Sequence, residues 1–308
     1  MPAPGKAVFL TGPTAVGKSA VALALAEALP GEIVSVDSMQ VYRGLDLGTA
    51  KPTAADRARV PHHLLDVVGL DQPFTAADFV RRAQAAVLEI HSRRRVPVFC
   101  GGTGLYFKAW LAGLGGAPAP DPALRAELEA APLAELLREL QAGDPETYAR
   151  IDRANPRRVV RAVEVLRLSG RPFGAQRAAW SATALGGQSE VVFGLRRNPE
   201  DLRARIDARV AAMFAAGLVG ETRHLLERGL ASNRTALQAI GYRQVVEHLR
   251  GERDLAETLA LVRRKTWQFA RRQMTWCRHQ LPMRWMDVPT GEPPEVTARR
   301  ILEASKAD

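Results

Sequence analysis

Apolar residues along this chain fall into two rhythms. Short unbroken runs, "AVFL" from Ala7, "EIVSV" from Glu32, "VPVFC" from Val96 and "EVVFGL" over Glu190 to Leu195, have the length and β-branched content of buried strands. Between the first three lie stretches of helical character, "SAVALALAEAL" from Ser19 and "FTAADFVRRAQAAVLEIHSR" from Phe74. A Gly/Pro-rich break, "GLGGAPAPDP" over Gly113 to Pro122, is followed by almost wholly helical pattern to about Gly170. After "EVVFGL" the pattern is helical from Pro199 to His279, then a last short strand "MRWMDV" and a closing helix "PPEVTARRILEASK". Strands alternating with helices predict an α/β fold with a mostly parallel sheet, whose ligands collect at the carboxyl ends of the strands. The break predicts an inserted all-helical domain over residues 119–189, between core segments 1–118 and 190–308.

Composition sharpens this picture in two respects. A formal net charge of +10 over 308 residues gives a positive field that favours phosphate-rich partners, nucleic acid first among them. The 2 cysteines, Cys100 and Cys277, stand far apart, so neither a disulfide framework nor a zinc site is expected. The N-terminus lacks the apolar core of a signal peptide, and Glu27 interrupts the first apolar helix well short of a membrane span. A soluble, cytoplasmic protein is the expectation.

The strongest local signal is "GPTAVGKS", Gly12 to Ser19, which fits G-x-x-x-x-G-K-[ST] between a strand and a helix. Such a loop usually holds a nucleoside triphosphate. The backbone of Gly12, Pro13, Thr14, Ala15, Val16 and Gly17 would cradle two phosphates, Lys18 would neutralise them, and the Ser19 hydroxyl would ligate Mg²⁺. Asp37 stands where the second strand ends, either as a proton acceptor or a Mg²⁺ partner through water, or as a cap for the next segment. Thr103 lies on the Gly-rich turn "GGTG" after another strand, at the same sheet edge. Two basic helical stretches, "NPRRVVRAVEVLRLSGR" and "RRKTWQFARRQMTWCRHQ", are candidates for sugar-phosphate contact. In the second, Trp267, Ala270, Met274 and Cys277 form one stripe and Arg264, Gln268, Arg271, Thr275 and Arg278 another. The pair His62 and His63 reads as a packing or capping element in preference to a metal site.

In order along the chain, "GPTAVGKS", "DSMQVYRGLDLGTAKP", "VPHHLLD", "GGTGLYFKA", "DPALR", "QAIGYRQ" and "ARRQMTW" resemble the tRNA dimethylallyltransferase family. That resemblance implies a P-loop kinase-like core and transfer of a dimethylallyl group from dimethylallyl diphosphate to N6 of the adenosine 3′ of the anticodon, in tRNAs reading U-starting codons. The P-loop would then grip a leaving diphosphate, with Mg²⁺ as cofactor, and the partner would be the tRNA anticodon stem-loop; a monomer is the expectation. It further implies Asp37 as general base, Thr103 at the channel between the substrates and Arg223 as an arginine reaching the diphosphate. Ser38, Met39, Gln40, Arg125, Arg157, Arg158, Arg161, Gln238, Gly241, Tyr242, Arg243 and Arg271 would fall at tRNA-contacting positions. Where the family pattern leads us to expect an arginine, this chain has Trp267. A P-loop small-molecule or nucleotide kinase and a nucleotide-switched RNA-binding regulator are the competing readings.

Overall fold

The computed structural model describes residues 7–176 and 191–305. Six strands, β1 (Val8–Thr11), β2 (Gly31–Val36), β3 (His62–His63), β4 (Val96–Gly101), β5 (Val192–Arg196) and β6 (Arg284–Asp287), form one sheet in the order β3-β2-β4-β1-β5-β6. Every pairing is parallel. Parallel neighbours must be joined by crossovers, which explains why each apolar run in the sequence is separated from the next by helix.

The two faces follow from the period of two along each strand. Val8, Leu10, Ile33, Val98, Cys100, Phe193 and Leu195 belong to one core with α1 (Lys18–Ala28) and the later helices, while Phe9 and Phe99 stack on each other with ring centroids 4.8 Å apart. β1 and β2 are buried at every position, as strands covered on both sides require. Helix α3 (Ala76–Ser92) begins with a capping box in which Thr75 and Asp78 satisfy each other's backbone amides. Its Phe79 stacks on Tyr106 of α4 (Gly104–Ala112). A shorter helix, α2 (Ala54–Arg59), precedes β3.

The described residues form two compact units, one drawn from the chain up to Lys108 and again from Val191, the other from Ala109 to Gln176. The second overlaps the insertion expected over 119–189 but begins earlier, at Ala109. It holds α5 (Pro122–Ala130), α6 (Leu133–Gly143), α7 (Pro145–Arg150), α8 (Pro156–Ser169) and the one-turn α9 (Phe173–Gln176). Leu128, Leu136, Leu140, Val159, Val160 and Val163 make its separate core. Residues 177–190, including Glu190 at the expected start of β5, lie outside the described residues.

β3 was not expected as a strand. His62 and His63 pair with Ile33 and Val34, and His63 Nε2 lies 2.6 Å from Glu32 Oε2. The histidine pair therefore does pack, and the described residues hold no cluster of His, Cys, Asp or Glu suited to a metal. Glu32 is buried on β2 and also receives both Arg93 Nε at 2.9 Å and Arg93 Nη2 at 2.8 Å. These hydrogen bonds, Arg93's first, hold its carboxyl below the usual range despite burial. A depressed carboxyl stabilises the fold above its unfolded pKa and loses that contribution as pH falls. Glu32→Gln is accordingly expected to cost about 1.5–3 kcal/mol at pH 7, and urea unfolding should show the gap to wild type closing below about pH 4.

Candidate functional site

Three loops open from the carboxyl ends of the adjacent strands β1, β4 and β2. The P-loop leaves β1 at Gly12, whose φ of 145° is open to glycine, and a Cβ there would stand 2.7 Å from the Leu195 carbonyl of β5. α1 starts at Lys18 with no side chain capping its amides, so its N-terminus is free to meet an anion.

Carbonyl groups of the loop are turned to cations. Lys18 Nζ donates to Gly12 O at 2.9 Å and Pro13 O at 2.8 Å. Arg205 Nε donates to Ala15 O at 2.9 Å, and Arg197 Nε to Val16 O at 2.8 Å. Arg197 is itself fixed by Asp201 at 2.8 Å. Arg209 Nη1 approaches Thr14 Oγ1 at 3.5 Å. Arg205 and Arg209 lie one turn apart on α10 (Pro199–Ala215), and no carboxylate among the described residues pairs with either. Burial and Arg205 both work against the charge on Arg209. The result is a concentrated positive potential around the loop and the uncapped start of α1, which suits a polyanion such as a diphosphate.

Asp37 ends β2. Its Oδ1 accepts from Met39 N at 2.8 Å and Gln40 N at 3.2 Å, an Asx-type turn, while Oδ2 takes no hydrogen bond from the described residues. Capping thus engages one oxygen and leaves the other open. Thr103 Oγ1 accepts from Ser38 N at 3.0 Å, and Thr103 N donates to Val36 O at 3.1 Å, locking the loop after β4 to the end of β2. Ser38 and Met39 are half-buried beside them. Gln40 is turned inward: it accepts from Ser35 Oγ at 3.0 Å and donates to Thr49 O at 3.1 Å. Beyond it, Lys51 is buried with its ammonium bound to Tyr42 O, Asp46 and Asp66, which folds the segment 41–51 back on itself.

The other expected residues divide between surface and interior. Arg223 is exposed on α11 (Leu218–Glu227), and no hydrogen bond or ion pair given by the described residues joins it to the P-loop; Arg197, Arg205 and Arg209 touch that loop. Tyr242 and Gly241 are buried at the start of α12 (Tyr242–Leu249). The Tyr242 hydroxyl donates to Glu221 at 2.5 Å and accepts from Gly48 N at 3.0 Å, while Glu221 also accepts from Leu47 N. Its side chain therefore serves the segment after Asp37 from within, not an RNA surface directly. Arg243 and Gln238 are exposed.

Helix α13 (Leu255–Gln280) carries Ala270 and Cys277 buried and Arg264, Gln268, Arg271, Thr275 and Arg278 exposed, the two stripes the sequence suggested. Trp267 packs against the main core with the Arg203 guanidinium 5.9 Å from its ring centroid, so the position where an arginine was expected contributes packing. The stripes missed Gln273, which is buried on the same helix and hydrogen-bonds both the P-loop and the loop after β4. The signal was available as the polar residue in "RRQMTW", where helical spacing from Ala270 and Cys277 puts it on the inward face.

In the helical unit, Arg125 and Arg161 both pair with Glu164, which is wholly buried; Arg161 Nη1 stands 2.6 Å from it, and Arg161 Nη2 donates to Pro118 O at 2.6 Å. Arg157 and Arg158 are exposed at the start of α8. The structure therefore separates two residues that the sequence grouped. Arg161→Ala should lower the unfolding free energy by about 1.5–3 kcal/mol, whereas Arg158→Ala should leave it unchanged and reduce the salt dependence of binding to an RNA stem-loop, measured as the log-log slope, by somewhat less than one unit.

Lys18 keeps some surface exposure but its ammonium is turned into the loop, where burial, reinforced by Arg209, pulls its pKa down to about 8. The protonated form is the one that attracts phosphate. Diphosphate affinity should accordingly be highest below about pH 8 and fall above it, with proton uptake on binding seen as a buffer-dependent heat in calorimetry. Lys18→Arg should remove the fall, because a guanidinium stays charged throughout this range.

The comparisons with known proteins agree with this geometry. The family model described as IPP transferase matches residues 40–280. A tRNA dimethylallyltransferase 1 from Trichlorobacter lovleyi is 46% identical over 288 residues, covering 92% of this chain and 94% of the relative. A tRNA dimethylallyltransferase from Halorhodospira halophila is 49% identical over 280 residues, covering 88% and 89%. The full-length tRNA isopentenylpyrophosphate transferase from Bacillus halodurans superposes with a TM-score of 0.71 at 36% identity, covering 98% of this chain and 97% of that one. A eukaryotic dimethylallyltransferase crystallised acting on tRNA shares the fold, with a TM-score of 0.78 at 23% identity over 97% of this chain and 78% of that one. With relatives of this similarity matched over nearly their whole length, the chain belongs to the tRNA dimethylallyltransferase family, and its core is of the P-loop kinase-like kind.

Proposed function

We propose that this protein transfers a dimethylallyl group from dimethylallyl diphosphate to N6 of the adenosine 3′ of the anticodon in tRNAs reading U-starting codons, releasing diphosphate. The observation that carries this reading is the placement of a cationic two-phosphate cradle and a carboxylate with one unengaged oxygen on loops from β1 and β2, parallel strands that flank β4 in one sheet. Membership of the family supports it over the kinase and the RNA-binding regulator.

In this reading the P-loop amides and Lys18 hold the diphosphate, and Arg205 and Arg209 add positive charge where negative charge grows on the leaving oxygen. The adenine amine attacks the allylic carbon as the C–O bond to diphosphate breaks. The nitrogen, acidified as its new bond forms, gives its proton to Asp37. Ser19 is exposed at the start of α1, and its hydroxyl would ligate Mg²⁺, an ion that takes few protein ligands. Bound Mg²⁺ would neutralise charge on the departing diphosphate. The exposed arginines of α13 and α8 supply tRNA backbone contacts. Gln268, Arg271, Arg272, Thr275, Trp276 and His279 line a shallow basic depression on α13, where a base can stack on the indole. No helix of the described residues is long and apolar enough to cross a membrane, and we take the enzyme to act as a cytoplasmic monomer.

The test is single-turnover transfer to an anticodon stem-loop, followed by nucleoside mass spectrometry. Wild type should form N6-dimethylallyl adenosine without ATP; a requirement for ATP would overturn the reading. Asp37→Asn should lose roughly 10² or more in kcat, while diphosphate and stem-loop binding change by less than about tenfold. Loss of binding with a rate regained at saturation would make Asp37 a recognition residue.

A further inference from the structure

Gln273 occupies the space between two loops that the preceding reading gives to different substrates. Its Oε1 accepts from Thr14 N at 2.8 Å, and its Nε2 donates to Gly102 O at 3.0 Å. Both polar ends of the side chain are thus committed, in a residue only 9% exposed. Room for it exists because residue 102 is glycine: a Cβ there would stand 2.3 Å from Gln273 Nε2. Gly102 adjoins Thr103, which accepts from Ser38 N next to Asp37. Hydrogen bonds joined by the Gly102–Thr103 peptide link therefore run from the P-loop through Gln273 to the turn that carries Asp37, anchored on α13.

We propose that Gln273 is a positioning residue that keeps the diphosphate cradle and the Asp37 turn in register. It touches no reacting atom. Because its Oε1 takes the Thr14 amide, that amide is withheld from the phosphates and serves instead to fix the P-loop's tip. Loss of the bridge leaves each loop with its own remaining supports, the cationic contacts on the P-loop and the Thr103 bonds on the other. Each substrate then still binds, but the two are misaligned. An error of about 1 Å between reacting groups is enough to cost about 10²-fold in rate.

This inference rests on the transferase reading, and the experiment separates the two. Single-turnover transfer and separate titrations of diphosphate and anticodon stem-loop are measured for wild type, Gln273→Met and Gln273→Glu. Methionine matches the length without the hydrogen bonds, and should lower kcat by about 10- to 100-fold with each binding constant changed less than about threefold. In Gln273→Glu the ionised carboxylate can accept from Thr14 but cannot donate to Gly102; once protonated it does both. The kcat of Gln273→Glu relative to wild type should therefore rise as pH falls. Unchanged kcat in Gln273→Met, full recovery of its rate at saturating substrate, or a flat Gln273→Glu ratio would each overturn the proposal. A wild type that transfers nothing would sink the transferase reading instead. The bridge is then decided without turnover by hydrogen exchange of the Thr14 amide, expected to speed up in Gln273→Met and, if unaltered, excluding it.

Discussion

A loop that turns its amides toward one point must turn its carbonyls away from it, and each buried carbonyl needs a donor. In this protein four carbonyls of the P-loop find theirs in cations, Gly12 and Pro13 in Lys18, Ala15 in Arg205 and Val16 in Arg197. The same side chains that satisfy the backbone thereby charge the cradle. This dual use ties α10 to β1, and the remainder of the site is assembled relative to that fixed loop. It also explains why Arg205 and Arg209 have no carboxylate partner among the described residues: a neutralising group would satisfy the guanidinium but cancel the field.

Much of the core was legible because buried parallel strands must be short and largely apolar, and β1, β2, β4 and β5 fall where such runs occur. β3 escaped because two residues carry no period, and its place in the sheet depends on Glu32 and Arg93 from distant segments. The P-loop was readable from spacing, since glycine at 12 and lysine at 18 answer to local geometry. Arg205 and Arg209 were not, because "DLRARIDARV" has the composition of any solvated helix and acquires meaning only when α10 is laid beside the loop. The same limit applies to charge. Arg161 and Arg158 share a helix and a chemistry, but only the fold shows that one faces a buried Glu164.

The resemblance to a family carried function further than periodicity could, while individual positions had to be located in three dimensions. Asp37 and Thr103 lie together at one sheet edge, and Arg223 lies on the surface of α11. Trp267 shows how a departure from an expected pattern can be absorbed: the indole fills space at the core's margin, and exposed arginines elsewhere on α13 retain the charge.

Tyr242 reaches from the interior to the amide of Gly48, and its partner Glu221 holds Leu47. A surface segment is thus fastened to α11 and α12 by groups that cannot let go unless those helices separate. In the vocabulary of cooperative opening, Leu47 and Gly48 belong to the helical foldon and not to the loop in which they lie. Fluctuations that expose ordinary loop amides leave these closed, and the stretch downstream of Asp37 inherits the rigidity of the core without being part of it.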